Sequence, residues 1–278
     1  MGMVDGKVGI ITGATSGIGA RTVELFVEEG ARVVFTGRRR HEGEALARRL
    51  GANARFVAAD ATLEDDWKRV LAATAQAFGP RLDYLFNNAG GPGPTGSIAS
   101  VSVESFDQAM ALLVRSVMLG MKHTAPVMMA QRSGSIINNG SVAAHQAGYS
   151  SSMVYGAAKA AVNHLTRCVA MELGEYGVRV NSVSPGAITT GILAKALGLE
   201  TAKADAATDT LATFYAKAQP IPRAGMPDDI AQCVLWLASD RATFVNAIDI
   251  IVDGGQIGGR NFSQHHAGLA QVKSALGL

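Results

Sequence analysis

The sequence predicts an α/β protein built on one doubly wound parallel sheet of about seven strands, with helices on both faces. Short apolar runs alternate along the chain with longer segments of helical periodicity, and this alternation is typical of parallel sheets. The apolar runs lack a polar side, as expected of strands that are covered on both faces. The residues best suited to chemistry follow these runs, at the edge of the sheet where parallel sheets bind ligands.

The elements follow in order along residues 1–278, which we expect to form a single domain. Each predicted strand is a short apolar run, and each predicted helix is a longer segment of apolar and polar residues. The strands are Val8–Thr12, Arg32–Thr36, Arg55–Ala59, Tyr84–Asn87, Ser135–Asn138, Arg179–Val183 and Ala247–Val252. The helices lie near residues 18–29, 42–50, 64–78, 104–132, 153–176 and 227–239.

Composition limits the function classes. Hydrophobic residues make up 48 % of the chain, charged residues 17 %, and the net charge is +2, so a nucleic-acid surface is not expected. No apolar run reaches the ~20 residues of a membrane span, and the first strand begins too early to leave room for a signal peptide. We therefore expect a cytoplasmic protein in which Cys168 and Cys233 are buried free thiols. No metal site is predicted, because no His, Cys, Asp and Glu cluster has ligand spacing.

A glycine-rich turn follows the first predicted strand. Gly13, Gly17 and Gly19 have the spacing G-x-x-x-G-x-G, and a helix begins at about Ile18. Glycine lets the backbone turn tightly and approach a ligand closely. The free N–H groups and positive dipole end of the helix then face the turn, so the segment predicts a pyrophosphate site.

Tyr155 and Lys159 are four residues apart, which places them on one face of a helix, and Ser141 lies fourteen residues before Tyr155. A cation beside a phenol favours the phenolate and lowers the pKa of the tyrosine. Such a tyrosine can act as an acid or base near neutral pH. The Ser141 hydroxyl can orient a carbonyl or alcohol oxygen beside it.

Together these motifs resemble the short-chain dehydrogenase/reductase family over about residues 7–255. The resemblance rests on TGATSGIG at Thr12–Gly19, NNAG at Asn87–Gly90, PGAITT at Pro185–Thr190 and the set Ser141, Tyr155 and Lys159. It implies a Rossmann-like fold and a nicotinamide-dependent oxidoreductase that interconverts a ketone and a secondary alcohol. Tyr155 would exchange a proton with the substrate oxygen, Lys159 would assist it and hold the nicotinamide ribose, and Ser141 would bind the substrate oxygen.

The resemblance also implies the cofactor site. Asp60 would bind the adenine amino group, residues 88–90 would line the ribose, and Ile188 and Thr190 would contact the carboxamide. The implied residues are Gly13, Thr15, Ser16, Gly17, Ile18, Gly19, Arg38, Asp60, Ala61, Asn88, Ala89, Gly90, Tyr155, Lys159, Pro185, Gly186, Ile188 and Thr190.

The second strand indicates which cofactor is preferred. An NAD enzyme would place an acid near position 37 to bind the ribose hydroxyls, but this chain has Gly37 followed by Arg38. Arginine binds phosphate bidentately, so NADP(H) is favoured over NAD(H). The alternative is that residues 38–40 form a solvated helix start and that Arg38 stacks on the adenine of either cofactor.

One residue departs from the family pattern. Leu113 stands where the family usually has an asparagine that helps to hold a water between the lysine and solvent, and leucine has no hydrogen-bonding side chain. We expect the relay to run through backbone groups and water. The rival interpretation of Leu113 is a nicotinamide-binding sensor without turnover.

A separate alternative for the function keeps the fold and the catalytic residues, and its substrate is a cyclic diol that the enzyme dehydrogenates.

Two further segments bear on substrate and partners. Residues 189–222 predict one or two helices that form a substrate lid, and their apolar side chains indicate an uncharged, mostly apolar substrate. The side chains considered for the substrate site are Ala143, His145, Tyr149, Met153, Ile192, Leu193, Leu197, Leu199, Phe214 and Tyr215. His145 could equally be a solvated loop residue. The tail, residues 256–278, would cover a neighbouring subunit or fray. The long helices at 104–132 and 153–176 predict a homotetramer with 222 symmetry, or a homodimer.

Overall fold

The computed structural model describes residues 2–278. Its seven strands form one sheet in the order β3-β2-β1-β4-β5-β6-β7, and every neighbouring pair is parallel. The strands are β1 Val8–Ile11, β2 Arg32–Gly37, β3 Ala54–Ala58, β4 Tyr84–Asn87, β5 Gly134–Asn139, β6 Val178–Pro185 and β7 Asp249–Val252. The predicted α/β class and doubly wound Rossmann-like sheet are confirmed.

Eleven α-helices surround the sheet in the described part of the chain. They are α1 Gly17–Glu28, α2 Arg40–Leu50, α3 Glu64–Phe78, α4 Val103–Met110, α5 Ser116–Gln131, α6 Met153–Gly174, α7 Ile192–Ala196, α8 Thr201–Ala206, α9 Thr208–Tyr215, α10 Pro227–Ala238 and α11 Phe262–Ala275. Helices α1 and α10 cover one face of the sheet, and α3, α5 and α6 cover the other.

The central strand β1 shows why the strands lack a polar side. Ile10 and Ile11 are adjacent and both fully buried, but they belong to different core clusters on opposite faces of the sheet. Successive side chains of a strand point to opposite faces, so a strand covered on both sides needs apolar residues at every position.

The strand order reverses on either side of β1, which pairs with both β2 and β4. Ligands of doubly wound sheets bind in the crevice at such a switch point, beyond the carboxyl ends of the strands. The glycine turn after β1 and Asn88 after β4 meet there. The topology therefore brings together two motifs that lie about 75 residues apart in the chain.

The predicted helix at 104–132 is not continuous. A π-helical turn, Ala111–Arg115, separates α4 from α5, and it contains Leu113. A π-turn adds one residue to a helical turn and so shifts the apolar positions that follow it, but a segment that is apolar on more than one face does not reveal this shift. Such turns occur often at functional sites.

The prediction of two buried thiols is wrong for Cys168. Its side chain lies on the exposed face of α6, whereas Cys233 is partly buried against the core, and both are free. Burial raises the pKa of the Cys233 thiol to about 11. The long helix α6 carries apolar residues on more than one face, so the sequence pattern does not show which of these faces is exposed to solvent.

The predicted lid segment contains three short helices, α7, α8 and α9, where one or two were expected. The tail forms α11, which has no buried residue within this chain. Among residues 2–278, no helix combines the length and the apolar character needed to cross a membrane.

Candidate active site

Hydrogen bonds from residues that follow β4 hold the glycine turn after β1 in place. The Asn88 side-chain amide donates to the Thr12 and Gly13 carbonyls at 3.0 and 3.1 Å, and the Thr12 hydroxyl accepts from the Asn88 and Ala89 N–H groups. Gly13 has φ +64°, a conformation that side chains rarely adopt, and a Cβ there would approach the Ala89 Cα to 2.6 Å. The loop is thus fixed in a shape that only glycine allows.

Three adjoining cavities run from this loop along the carboxyl ends of the strands. Of the predicted cofactor residues, all except Gly19 line them. A Cβ at Gly19 would meet the Gly13 carbonyl oxygen at 2.6 Å, so this glycine permits α1 to pack closely on the loop. Asn139 lines two of the cavities, and its buried Oδ1 has no hydrogen-bond partner in the described chain.

These observations fit a nicotinamide dinucleotide. The N-terminus of α1 supplies N–H groups for a pyrophosphate, the glycine turn leaves room for it, and Asn139 has an unused acceptor beside Lys159. Such a cofactor would supply hydride chemistry, while the protein contributes geometry and the proton.

The predicted catalytic side chains meet at one end of this space. Ser141 follows β5, where its Oγ accepts from the Ala143 N–H at 3.1 Å and caps a 3₁₀ turn at residues 142–144. Tyr155 and Lys159 share one face of α6, and Lys159 Nζ lies 5.6 Å from the centre of the Tyr155 ring. Ser141 and Tyr155 line the same cavity, of about 510 Å³.

Burial controls the ionisation of this pair. It raises the pKa of Tyr155, and interaction with the Ser141 hydroxyl acts in the opposite direction without reversing the shift. Burial also lowers the pKa of Lys159 to about 8. The expected lowering of the tyrosine pKa is therefore not found, because removal from water disfavours the phenolate more than the hydrogen bond with Ser141 favours it.

Lys159 should make the stability of the protein depend on alkaline pH. Between pH 8 and pH 10.5 the unfolded chain holds a proton on this lysine that the folded protein has released. The free energy of unfolding therefore rises with pH across this window, by on the order of 3 kcal/mol. Urea unfolding of the wild type and Lys159→Met measures it, because only the wild type carries the group. An equal difference between the two proteins at both ends of the window would contradict the assignment.

The hydrogen bond that Lys159 makes does not involve position 113. Lys159 Nζ donates to the backbone carbonyl of Asn139 at 2.6 Å, which agrees with a relay through backbone groups. Leu113 is 1 % exposed and packs in a small apolar cluster with Ala109, Val154 and Ala158. Its role in the structure is packing of the π-turn against α6.

The variant Leu113→Asn is expected to keep turnover within about tenfold of wild type and to lose stability by about 1–3 kcal/mol, because it buries an unpaired amide. Initial rates and urea unfolding measure the two effects. The control Leu113→Met should change neither by much, since the swap conserves volume. A large gain in turnover for Leu113→Asn would show that the natural relay is impaired.

Of the ten side chains considered for the substrate site, four line the cavity at Ser141 and Tyr155. Tyr149, Ile192, Leu193 and Tyr215 line it. The other six candidates do not: Ala143, His145, Met153, Leu197, Leu199 and Phe214. Met153, Leu197, Leu199 and Phe214 are exposed, Met153 at the start of α6 and the other three within the predicted lid.

His145 belongs to a partly buried network behind Ser141 that the sequence did not reveal. Its Nε2 lies 2.5 Å from the Asp249 carboxylate, whose side chain is only 7 % exposed. Asp249 also accepts from Asn163, Ser182 and Ser184, and the Ser184 Oγ accepts the Ser141 N–H at 3.1 Å. Asp249 thus supports the backbone of Ser141 through one hydroxyl.

Arg39 was also missed. Arg38, the predicted phosphate ligand, lines the cofactor cavity with an exposed side chain, whereas Arg39 turns inward and donates to Thr15 and Ser16 of the glycine loop. The run of three arginines predicted a positive charge at this place, but it did not show which of the three side chains faces the loop.

A nucleotide cavity cradled by glycines and ending at a serine, a tyrosine and a lysine defines a nicotinamide-dependent oxidoreductase. Comparisons with known proteins agree with this class. A family model described as "Enoyl-(Acyl carrier protein) reductase" matches residues 13–256. The chain belongs to the short-chain dehydrogenase/reductase family, and it is an NAD(P)-dependent oxidoreductase that acts on CH–OH groups.

Three relatives illustrate the similarity. Tropinone reductase-like 1 of Erythroxylum coca is 38 % identical over 255 residues, which cover 91 % of this chain and 90 % of the relative. (+)-Borneol dehydrogenase 2 of Salvia officinalis is 38 % identical over 254 residues, 90 % of this chain and 89 % of the relative. The 2,5-dichloro-2,5-cyclohexadiene-1,4-diol dehydrogenase of Sphingobium indicum is 38 % identical over 256 residues, 92 % and 98 %.

Proposed function

We propose that this enzyme interconverts an uncharged, mostly apolar ketone and its secondary alcohol, with NADP(H) preferred over NAD(H). The observation that carries the proposal is the cavity at Ser141 and Tyr155. In the described chain no Lys, Arg, Asp, Glu or His side chain lines it, and Ile192 and Leu193 form part of its wall. A ligand buried there loses its water without gaining a charged partner, so a charged substrate is disfavoured.

The chemical roles follow from the geometry. In the reducing direction Tyr155 donates its proton to the carbonyl oxygen as hydride reaches the carbonyl carbon, and in the oxidising direction it takes the proton back. Ser141 hydrogen-bonds the same oxygen and holds it beside the phenol. Lys159, anchored on the Asn139 carbonyl, holds the nicotinamide ribose and connects the tyrosine to the relay.

The cofactor preference rests on charge. Gly37 stands where an NAD enzyme would have an acid, and Arg38, Arg39 and Lys195 line the cavity beside the glycine loop. Three cations at this place favour a ligand with an additional phosphate. The remaining predicted contacts keep the roles stated above, including Asp60 at the adenine and Thr190 at the carboxamide.

A second candidate is a cyclic diol as the substrate. It is supported by the Sphingobium relative, named as a cyclohexadiene-diol dehydrogenase, which the alignment covers to 98 %. The same serine, tyrosine and lysine serve this oxidation, because it also removes hydride and a proton from a CH–OH group.

The test follows absorbance at the reduced-nicotinamide band with purified protein. The panel contains cyclic ketones, secondary alcohols, cyclic diols and charged analogues, each with both cofactors. We expect turnover of uncharged cyclic substrates, faster with the phosphorylated cofactor. Faster turnover of a charged analogue would overturn the substrate class, and faster turnover with NAD(H) would overturn the cofactor preference.

We propose a homotetramer, in which residues 189–222 act as a substrate lid and the tail contacts a neighbouring subunit. Exposed apolar side chains on the long helices support it, among them Phe106, Met118 and Met171. Light scattering is expected to give about four times the monomer mass of 28.8 kDa. A mass of one chain would refute the assembly.

The free thiols are compatible with the proposed cytoplasmic location.

A further inference from the structure

The guanidinium of Arg39 joins two parts of the chain that are distant in sequence. Its Nε donates to the Thr15 hydroxyl at 3.1 Å and its Nη2 to the Ser16 hydroxyl at 2.5 Å, both in the glycine loop. Its Nη1 donates to Asp205 Oδ2 at 2.7 Å, on α8 of the proposed lid. One side chain therefore ties the lid to the cofactor loop.

Asp205 is held by a second cation as well. Lys195 Nζ donates to Asp205 Oδ1 at 2.8 Å, so each carboxylate oxygen has a cationic partner. Burial alone would raise the pKa of this carboxyl, but the hydrogen bonds and charges of Lys195 and Arg39 outweigh it and lower the pKa. The three side chains are each about a quarter exposed, so water screens the cluster only in part.

The contact also depends on a close approach of α8 to the chain before α7. A Cβ placed on Gly191 would overlap Asp205 Oδ1 and would lie 3.0 Å from the Ala204 carbonyl oxygen. The absence of a side chain at position 191 therefore allows Asp205 to reach both cations.

The cluster lies at the wall of the cofactor cavities. Thr15, Ser16, Arg39 and Lys195 line the cavity beside the glycine loop, and Asp205 lines the adjoining one. A phosphate group bound in this cavity would be attracted to the same two cations that Asp205 holds, Arg39 and Lys195, while the other two nitrogens of Arg39 donate to the loop hydroxyls.

We propose that Asp205 is a specificity-determining residue which competes with the additional phosphate of NADP(H) for Arg39 and Lys195, and so couples the choice of cofactor to the position of the lid. This inference rests on the proposed nicotinamide site and lid. With NAD(H) the carboxylate keeps its partners and α8 stays in place. With NADP(H) the phosphate displaces the carboxylate and releases α8.

The test measures binding without turnover. NADPH and NADH are titrated into the full-length wild type, Asp205→Asn and Asp209→Asn, with nucleotide fluorescence as the signal. Asp209→Asn is the matched control, since it removes the same charge from an exposed position on α9. We expect Asp205→Asn to raise the NADPH-to-NADH affinity ratio by about tenfold, a usual size for coupled sites, while Asp209→Asn leaves it unchanged. The gain should shrink as salt is added.

A second variant and a second signal separate this role from a structural one. Gly191→Ala keeps the charge of Asp205 but pushes it from its partners, and it should raise the same ratio. Trypsin should cut the wild type at Lys195 or Lys203 faster with NADP⁺ than with NAD⁺, and at equal rates in Asp205→Asn.

Binding of both nucleotides by the wild type, with the same affinity ratio in Asp205→Asn, would overturn the role of Asp205 and leave the proposed function standing. Binding of neither nucleotide would overturn both.

Discussion

Replacing Tyr155 with phenylalanine is expected to lower kcat by about 10³-fold, because it removes the group that exchanges a proton with the substrate oxygen. The affinity for the nicotinamide cofactor should remain close to wild type, since the ring still fills its place between the two cavities. Stopped-flow or steady-state rates measure the first quantity, and fluorescence titration measures the second.

Tyr149→Phe is the matched control. Tyr149 lines the same cavity, and its hydroxyl donates only to the Gln256 carbonyl, at 3.3 Å. Loss of that hydroxyl should change kcat by no more than a fewfold. Equal losses in the two variants would mean that any missing hydroxyl in the cavity harms turnover, and near-normal turnover in Tyr155→Phe would remove Tyr155 from the chemical step.

The second large effect is expected at Asp249. Asp249→Ala should lower the free energy of unfolding by about 3 kcal/mol, because it leaves buried hydroxyl and amide donors without an acceptor. The donors that lose their acceptor are the side chains of Asn163, Ser182 and Ser184. Urea unfolding measures the change.

Asp249→Ala should also lower kcat by at least tenfold with little change in cofactor affinity. Ser184, once released from Asp249, no longer fixes the N–H of Ser141, so the hydroxyl that orients the substrate oxygen loses its position. Asp240→Ala is the control, because the Asp240 side chain is 84 % exposed and its ion pair with Lys7 contributes little. A folded Asp249→Ala protein with wild-type kcat would exclude the positioning role.

The sequence was sufficient to predict those parts of the molecule whose structure depends on neighbouring residues. The pairing of Tyr155 with Lys159 follows from helical spacing, and the strands follow from runs such as Val8–Ile11, which are apolar on both faces. The site at the carboxyl ends of the strands follows from the parallel order. Each of these predictions requires only neighbouring residues and the general geometry of helices and sheets.

The parts that were missed depend on distant residues. His145 and Asp249 are 104 positions apart, and Arg39 and Asp205 are 166 apart, so no local pattern links them. Leu113 lies in a π-turn, which the pattern of a segment that is apolar on more than one face does not reveal. The pKa of Tyr155 moved opposite to the prediction because the extent of its burial is a property of the packed protein and not of the motif.

The division of the substrate cavity between two kinds of element has an evolutionary consequence. Ser141 and Tyr155 stand on elements anchored to the sheet, whereas Ile192, Leu193 and Tyr215 come from short helices outside it. Substitutions at these three positions can alter which molecules are accepted without disturbing the core or the proton donor. A library randomised at the three codons should therefore yield variants with new substrate ranges at little cost in folding yield.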